Sequence, residues 1–72
     1  MKQDSIQGDW LCPISQEIMK DPYIAADGFS YERLSIESWL QKSTISPMAG
    51  ARLSNNNIIP NHALRNTIQQ YL

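Results

Sequence analysis

Residues 10–22 read WLCPISQEIMKDP. A Cys-Pro-Ile step in a short, turn-rich chain has the look of a zinc ligand's setting, and whether it is one decides how the chain holds together. Structural zinc takes four ligands, drawn mostly from Cys and His. Cys12 is the only cysteine among the 72 residues, and His62 is the only histidine. Together they cannot fill such a site even with a carboxylate added, and a single cysteine cannot close an internal disulfide. The loops must therefore be locked by hydrogen bonds and packing. Paired carboxylates, a glycine-rich phosphate loop and a catalytic triad are also missing from the sequence, so neither a metal nor any other cofactor is expected.

Locking matters because the chain is short. A domain of this size buries only about 60% of its unfolded surface, and a core this small rarely contributes more than ~3–5 kcal/mol. Composition is that of one globular domain, 42% hydrophobic and 18% charged, with a formal net charge of −1. No basic surplus exists to neutralise phosphates, so nucleic acid is not an expected partner. No apolar run approaches the length of a membrane span, and MKQDSIQGD lacks the apolar stretch of a signal peptide. A cytosolic or nuclear setting fits these features and the lone thiol.

Residues 1–9 form a polar tail with one hydrophobe, Ile6; Trp10-Leu11 opens the apolar content, and residues 12–22 read as an ordered loop with a short helical turn around Gln16–Met19. YIAADGFSY reads as a hairpin, because Asp27-Gly28 between β-forming runs is a strong turn signal. The strands are expected at about Tyr23–Ala25 and Phe29–Tyr31. A helix follows over about Glu32–Gln41, capped by Ser30, with Glu32 in its first turn and Ile36, Trp39 and Leu40 on one face. STISPMAG is a second loop, and ARLS is expected as a third short strand. NNNIIPN reads as another ordered loop, its asparagines favouring turns because their side chains bond nearby backbone. A last helix begins after Pro60 with Asn61 as its cap, and Leu64, Ile68, Tyr71 and Leu72 share its apolar stripe. No internal repeat is visible. The fold class is α+β.

LCPISQEIMKDP, DGFSYER, IESWL, the Ser-Pro step at Ser46-Pro47 and IIPNHALRNTI, in this order, resemble a U-box domain over residues 10–72. The resemblance implies a small RING-like fold without zinc: two ordered loops, a short three-stranded antiparallel sheet, a central helix and a C-terminal helix. Hydrogen bonds and salt bridges occupy the places of the two metal sites. It also implies a ubiquitin ligase (E3) module. Such a module binds a conjugating enzyme (E2) charged with ubiquitin and promotes transfer to substrate lysines, forming no covalent intermediate itself.

The resemblance places the conjugating-enzyme groove between the two loops and the central helix, at Ile14, Gln16, Trp39 and Pro47. A structural role competes at three of these: core packing for Ile14, core packing beside Ile36 and Leu40 for Trp39, an ordinary turn for Pro47. Gln16 stands where family members often carry a second hydrophobe. Gly50 stands where they typically carry an Arg that contacts both the enzyme and its ubiquitin; Arg52 is the nearest cation. An alternative is therefore a U-box-fold docking module with weak or no ligase activity. The polar scaffold is expected among Ser15, Glu17, Asp27, Tyr31, Glu32, Arg33, Ser46 and Asn61, with solvated helix charges the competing role for Glu32 and Arg33. Cys12, flanked by Leu11 and Pro13, lacks the neighbouring base or cation a nucleophile needs and reads as a small buried hydrophobe. His62 reads as a surface or capping residue. Substrate binding is expected outside this module. A homodimer through Tyr71 or Leu72 is left open.

Overall fold

The computed structural model describes residues 8–72. Of the tail expected over residues 1–9, residues 1–7 lie outside the described residues, and Gly8–Trp10 form a 3-10 turn. Three short strands and two helices follow: β1 (Pro22–Ile24), β2 (Ser30–Glu32), α1 (Arg33–Leu40), β3 (Ile59–Pro60) and α2 (His62–Tyr71). The sheet is antiparallel in the order β2-β1-β3, with Tyr23 opposite both Tyr31 and Pro60.

The Asp27-Gly28 turn forms with Gly28 at φ +84. Asp27 Oδ1 accepts the Phe29 N–H at 2.9 Å, an Asx turn of the kind that favours Asp in this place. The strands start one residue before their expected place on one side and one after on the other. Ala25 and Phe29 close the turn instead, through the Ala25 N–H to the Phe29 carbonyl at 3.0 Å. Pro22 opens β1, where its missing N–H removes little from the ladder.

ARLS does not join the sheet. Its backbone groups are used inside its own loop, where Ser46 N–H bonds the Ala51 carbonyl and Leu53 N–H the Thr44 carbonyl, each at 2.7 Å. The third strand is Ile59–Pro60, and a proline is tolerated there because β3 is an edge. The cap of α1 also differs. Glu32 holds the N-cap place with extended backbone and no side-chain cap bond. The Ser30 hydroxyl instead accepts from the Asn61 side-chain amide at 3.0 Å. Asn61 caps α2 as expected, its Oδ1 accepting the Leu64 N–H at 3.1 Å.

The core holds Trp10, Cys12, Met19, Ala25, Tyr31, Ile36 and Ile68, with Ile14, Ile18, Trp39, Leu40, Ile58 and Leu64 packed against it. Tyr71 meets the Trp10 ring edge-on at 5.2 Å, which ties the end of α2 to the start of the first loop.

The two loops are copies of one module. In the first, Met19 N–H bonds the Trp10 carbonyl, Cys12 N–H the Glu17 carbonyl and Gln16 N–H the Cys12 carbonyl, and Leu11 bridges Ile18. In the second, Leu53 bonds Thr44, Ser46 bonds Ala51 and Gly50 bonds Ser46, and Ile45 bridges Arg52. Every partner is shifted by the same 34 residues (Cys12 to Ser46). Both loops close on a residue of positive φ, Gln16 at +66 and Gly50 at +73. The helical turn expected around Gln16–Met19 is absent, because Gln16 leaves the helical region and Ile18 pairs with Leu11.

Each module is pinned to the hairpin by its own polar clip. Asp27 Oδ2 accepts the Ser46 hydroxyl at 2.6 Å and the Tyr31 hydroxyl at 2.7 Å. Ser46 Oγ in turn accepts the N–H groups of Met48 and Ala49. On the first loop, the Glu32 carboxylate accepts the N–H of Lys20 at 2.8 Å and of Asp21 at 3.0 Å. Cys12 Sγ accepts the N–H of Glu32 at 3.2 Å and of Ser15 at 3.5 Å. Among the described residues no three His, Cys, Asp or Glu side chains gather as a metal site.

Burial by itself would push the Asp27 carboxyl up, but hydrogen bonds from Ser46, Tyr31 and Phe29 outweigh it and hold the group below its ordinary value. Its contribution to stability is therefore present above about pH 4 and is lost as pH falls through the lower folded value. Tyr31 is raised, first by burial and then by its bond to Asp27, so its contribution is present below about pH 10 and lost as pH rises beyond. Asp27→Asn should cost about 2 kcal/mol in urea unfolding at neutral pH, with a smaller further loss on acidification below about pH 4 than the parent shows. Circular dichroism should be unchanged by a chelator.

Candidate functional site

The turn Pro13–Ser15 forms the tip of the first loop, and Ile14 sits on it half-buried, one side of its chain packed on the core. Gln16 is exposed, and its side-chain amide donates to the Pro13 carbonyl at 3.2 Å. Ser15 serves the tip locally, its hydroxyl accepting the Glu17 N–H at 3.4 Å. Glu17 contributes its carbonyl to the loop, while its carboxylate has no hydrogen bond among the described residues.

Trp39 lies on α1, half-buried against the core, and its indole N–H donates to the Ile45 carbonyl at 2.7 Å. The helix is thereby tied to the second loop two residues before Pro47, which is itself half-buried. Core packing and surface presentation, set apart as alternatives in the sequence, coexist at Ile14 and Trp39. Gly50 is exposed, and a Cβ added there meets nothing within 4 Å. Its backbone, at φ +73, is what resists a side chain. Arg52 is exposed and held by the bridge to Ile45.

Arg33 stands apart from the loop clips. It pairs with Glu37 at 3.2 Å and Asp21 at 3.9 Å, half exposed, with its guanidinium 5.7 Å from the Tyr23 ring centroid. Such surface pairs stabilise little. His62 is exposed in the first turn of α2.

Cys12 is fully buried. Burial alone would push the thiol up, yet the N–H groups of Ser15, Glu32 and Ile14 outweigh it and hold the group below its ordinary value. Sealed in this way, it serves as a hydrogen-bond acceptor joining loop to strand. The sequence shows only its apolar neighbours; the bond that joins loop to strand depends on Glu32, distant in sequence, so no local signal marks it.

An open groove of about 470 Å³ is lined by Leu11 and Pro13 of the first loop, Phe29 of the hairpin, Met48 of the second loop and Leu64 of α2. Ile14, Trp39 and Pro47 are not among its lining residues. Met48, half exposed at the tip of the second loop, did not stand out in the sequence, because its place is defined only by the loop's folded form.

The family model described as U-box domain matches residues 6–72. Among relatives, U-box domain-containing protein 70 of Oryza sativa subsp. japonica is 51% identical over 71 residues, 97% of this chain and 9% of its own length. U-box domain-containing protein 33 of Arabidopsis thaliana is 50% identical over 64 residues, 88% of this chain and 8% of its own. U-box domain-containing protein 54 of Arabidopsis thaliana is 48% identical over 65 residues, 89% of this chain and 21% of its own. The chain belongs to the U-box family, whose members are in general ubiquitin ligases that act with conjugating enzymes. It spans only between 8% and 21% of the length of these relatives. No described helix is long and apolar enough to cross a membrane.

The two loop-closing residues meet the same backbone demand, so replacing each has an effect of opposite sign. Gly50→Ala and Gly50→Arg should each lower stability by about 1–2 kcal/mol, and Gly50→Asn by less, since Asn visits the left-handed region more readily. Gln16→Gly should be neutral or stabilising by up to about 1 kcal/mol. Thermal unfolding of the four variants checks both.

Proposed function

We propose that this domain binds a ubiquitin-charged conjugating enzyme and promotes transfer of ubiquitin to substrate lysines without a covalent intermediate. The observation that carries the reading is the stiff pairing of the two loops. Asp27, Glu32 and Cys12 pin them to one hairpin, and Trp39 ties α1 to the second. Loops fixed before binding lose little entropy on association. Ile14, Trp39 and Pro47 supply the apolar contact, each with part of its surface free, and Gln16 adds a polar contact at the rim. A module of this kind accelerates transfer by restricting the reacting partners to a productive pose. The sealed thiol of Cys12 leaves the chemistry to the conjugating enzyme.

Gly50 favours a second reading, a docking module with weak or no ligase activity, because no side chain projects from the place where an activating Arg is typical. Substrate recognition is assigned to segments beyond this domain or to a partner, in keeping with the far greater length of the relatives.

Autoubiquitination with a panel of conjugating enzymes tests the proposal. Activity is expected with at least one, and Ile14→Ala should reduce it tenfold or more. Silence with every enzyme, while another U-box domain works alongside, would refute ligase activity. Gly50→Arg should raise the rate where Gly50→Ala does not, provided both remain folded. A rise in both variants, or in neither, would deny that position an activating role.

A further inference from the structure

We infer that Met48 is a second apolar anchor for the conjugating enzyme, the counterpart on the second loop of Ile14 on the first. The inference rests on the proposed function and adds to it a residue that determines affinity and enzyme choice. It follows from the shared backbone bonds of the two loops, in which Cys12 corresponds to Ser46, Pro13 to Pro47, Ile14 to Met48 and Gln16 to Gly50. Pro47 is thus the partner of Pro13, and Met48 takes the place of Ile14.

The local physics is the same in both copies. The first residue turns inward as an acceptor: Cys12 Sγ takes the Ser15 N–H, and Ser46 Oγ takes the N–H groups of Met48 and Ala49. Proline fixes φ at the next step. The third residue stands at the tip, and a residue of positive φ closes the turn. Ser46 is 3% exposed and Met48 is 49% exposed, so the loop that seats one side chain inward presents the other outward. One residue of each tip, Pro13 and Met48, lines the same open groove. A flexible, polarizable Met can fit more than one apolar partner surface, which suits a contact that sets how many conjugating enzymes are accepted.

Titration of the isotope-labelled protein with a conjugating enzyme that supports its activity tests the assignment. Met48→Ala should weaken binding by about five- to tenfold, with the thermal midpoint unchanged, and should alter the ranking of enzymes across the panel. Met48→Gln keeps the side chain's length, removes its apolar end and should lose affinity similarly. The double exchange Ile14→Met with Met48→Ile should bind more tightly than Ile14→Ala. Parent-like binding by Met48→Ala and Met48→Gln, while Ile14→Ala loses it, would overturn the assignment and leave the proposed function standing. Absence of binding by the parent to every enzyme would overturn both.

Discussion

The carboxylate of Asp27 joins three parts of the chain that sequence keeps apart. One oxygen closes the hairpin turn on which Asp27 sits; the other receives hydroxyls from Tyr31 on β2 and Ser46 in the second loop. Hydrogen bonds to an ionised acceptor contribute more than neutral ones, roughly 1.5–3 kcal/mol each. A handful of them is comparable to the ~3–5 kcal/mol that a core this size rarely exceeds. The first loop depends in the same way on Glu32 and Cys12. Asp27 and Glu32 work because the hairpin holds them, one in its turn and one on β2, and Cys12 is reached from the same hairpin by the Glu32 N–H.

The repeated loop explains features that look unrelated along the chain. Cys12 and Ser46 differ chemically but do one job, accepting N–H groups from the turn that follows them. Gln16 and Gly50 differ in every property except the backbone shape each must adopt. The copies share one identity, Pro13 with Pro47, so nothing in their composition marks the repeat. Its signature lies in backbone hydrogen bonds, which constrain shape and leave most side chains free to vary. Freed in this way, the tip residues Ile14 and Met48 can be apolar without being needed for closure.

Local chemistry was legible where one or two neighbouring residues decide the outcome. Asp27-Gly28 makes its turn because glycine accepts positive φ and Asp bonds its own backbone. Asn61 caps α2 because its side chain reaches the orphan N–H of Leu64. Legibility failed where a group had two suitors. Ser30 was available to cap α1 and was taken by Asn61; Glu32 was placed for the helix dipole and was taken by the N–H groups of Lys20 and Asp21. ARLS had strand character but spent its hydrogen bonds inside its own loop. At the candidate site, the tether between Trp39 and Ile45 and the exposure of Met48 follow from loop closure, and no residue's type announces either.

By itself, the sequence determined that this chain has too few Cys and His for a structural zinc site and no second Cys for an internal disulfide, that it turns at Asp27-Gly28, and that its motifs are those of a U-box. These follow from residue counts, from the φ that a residue can adopt, and from spacing. Tertiary structure decided which strand completes the sheet, that Cys12 is an acceptor as well as a core residue, and that two dissimilar loops are the same loop. Each of these turns on competition among distant groups for a limited set of donors and acceptors, and that competition is settled only when the chain is closed.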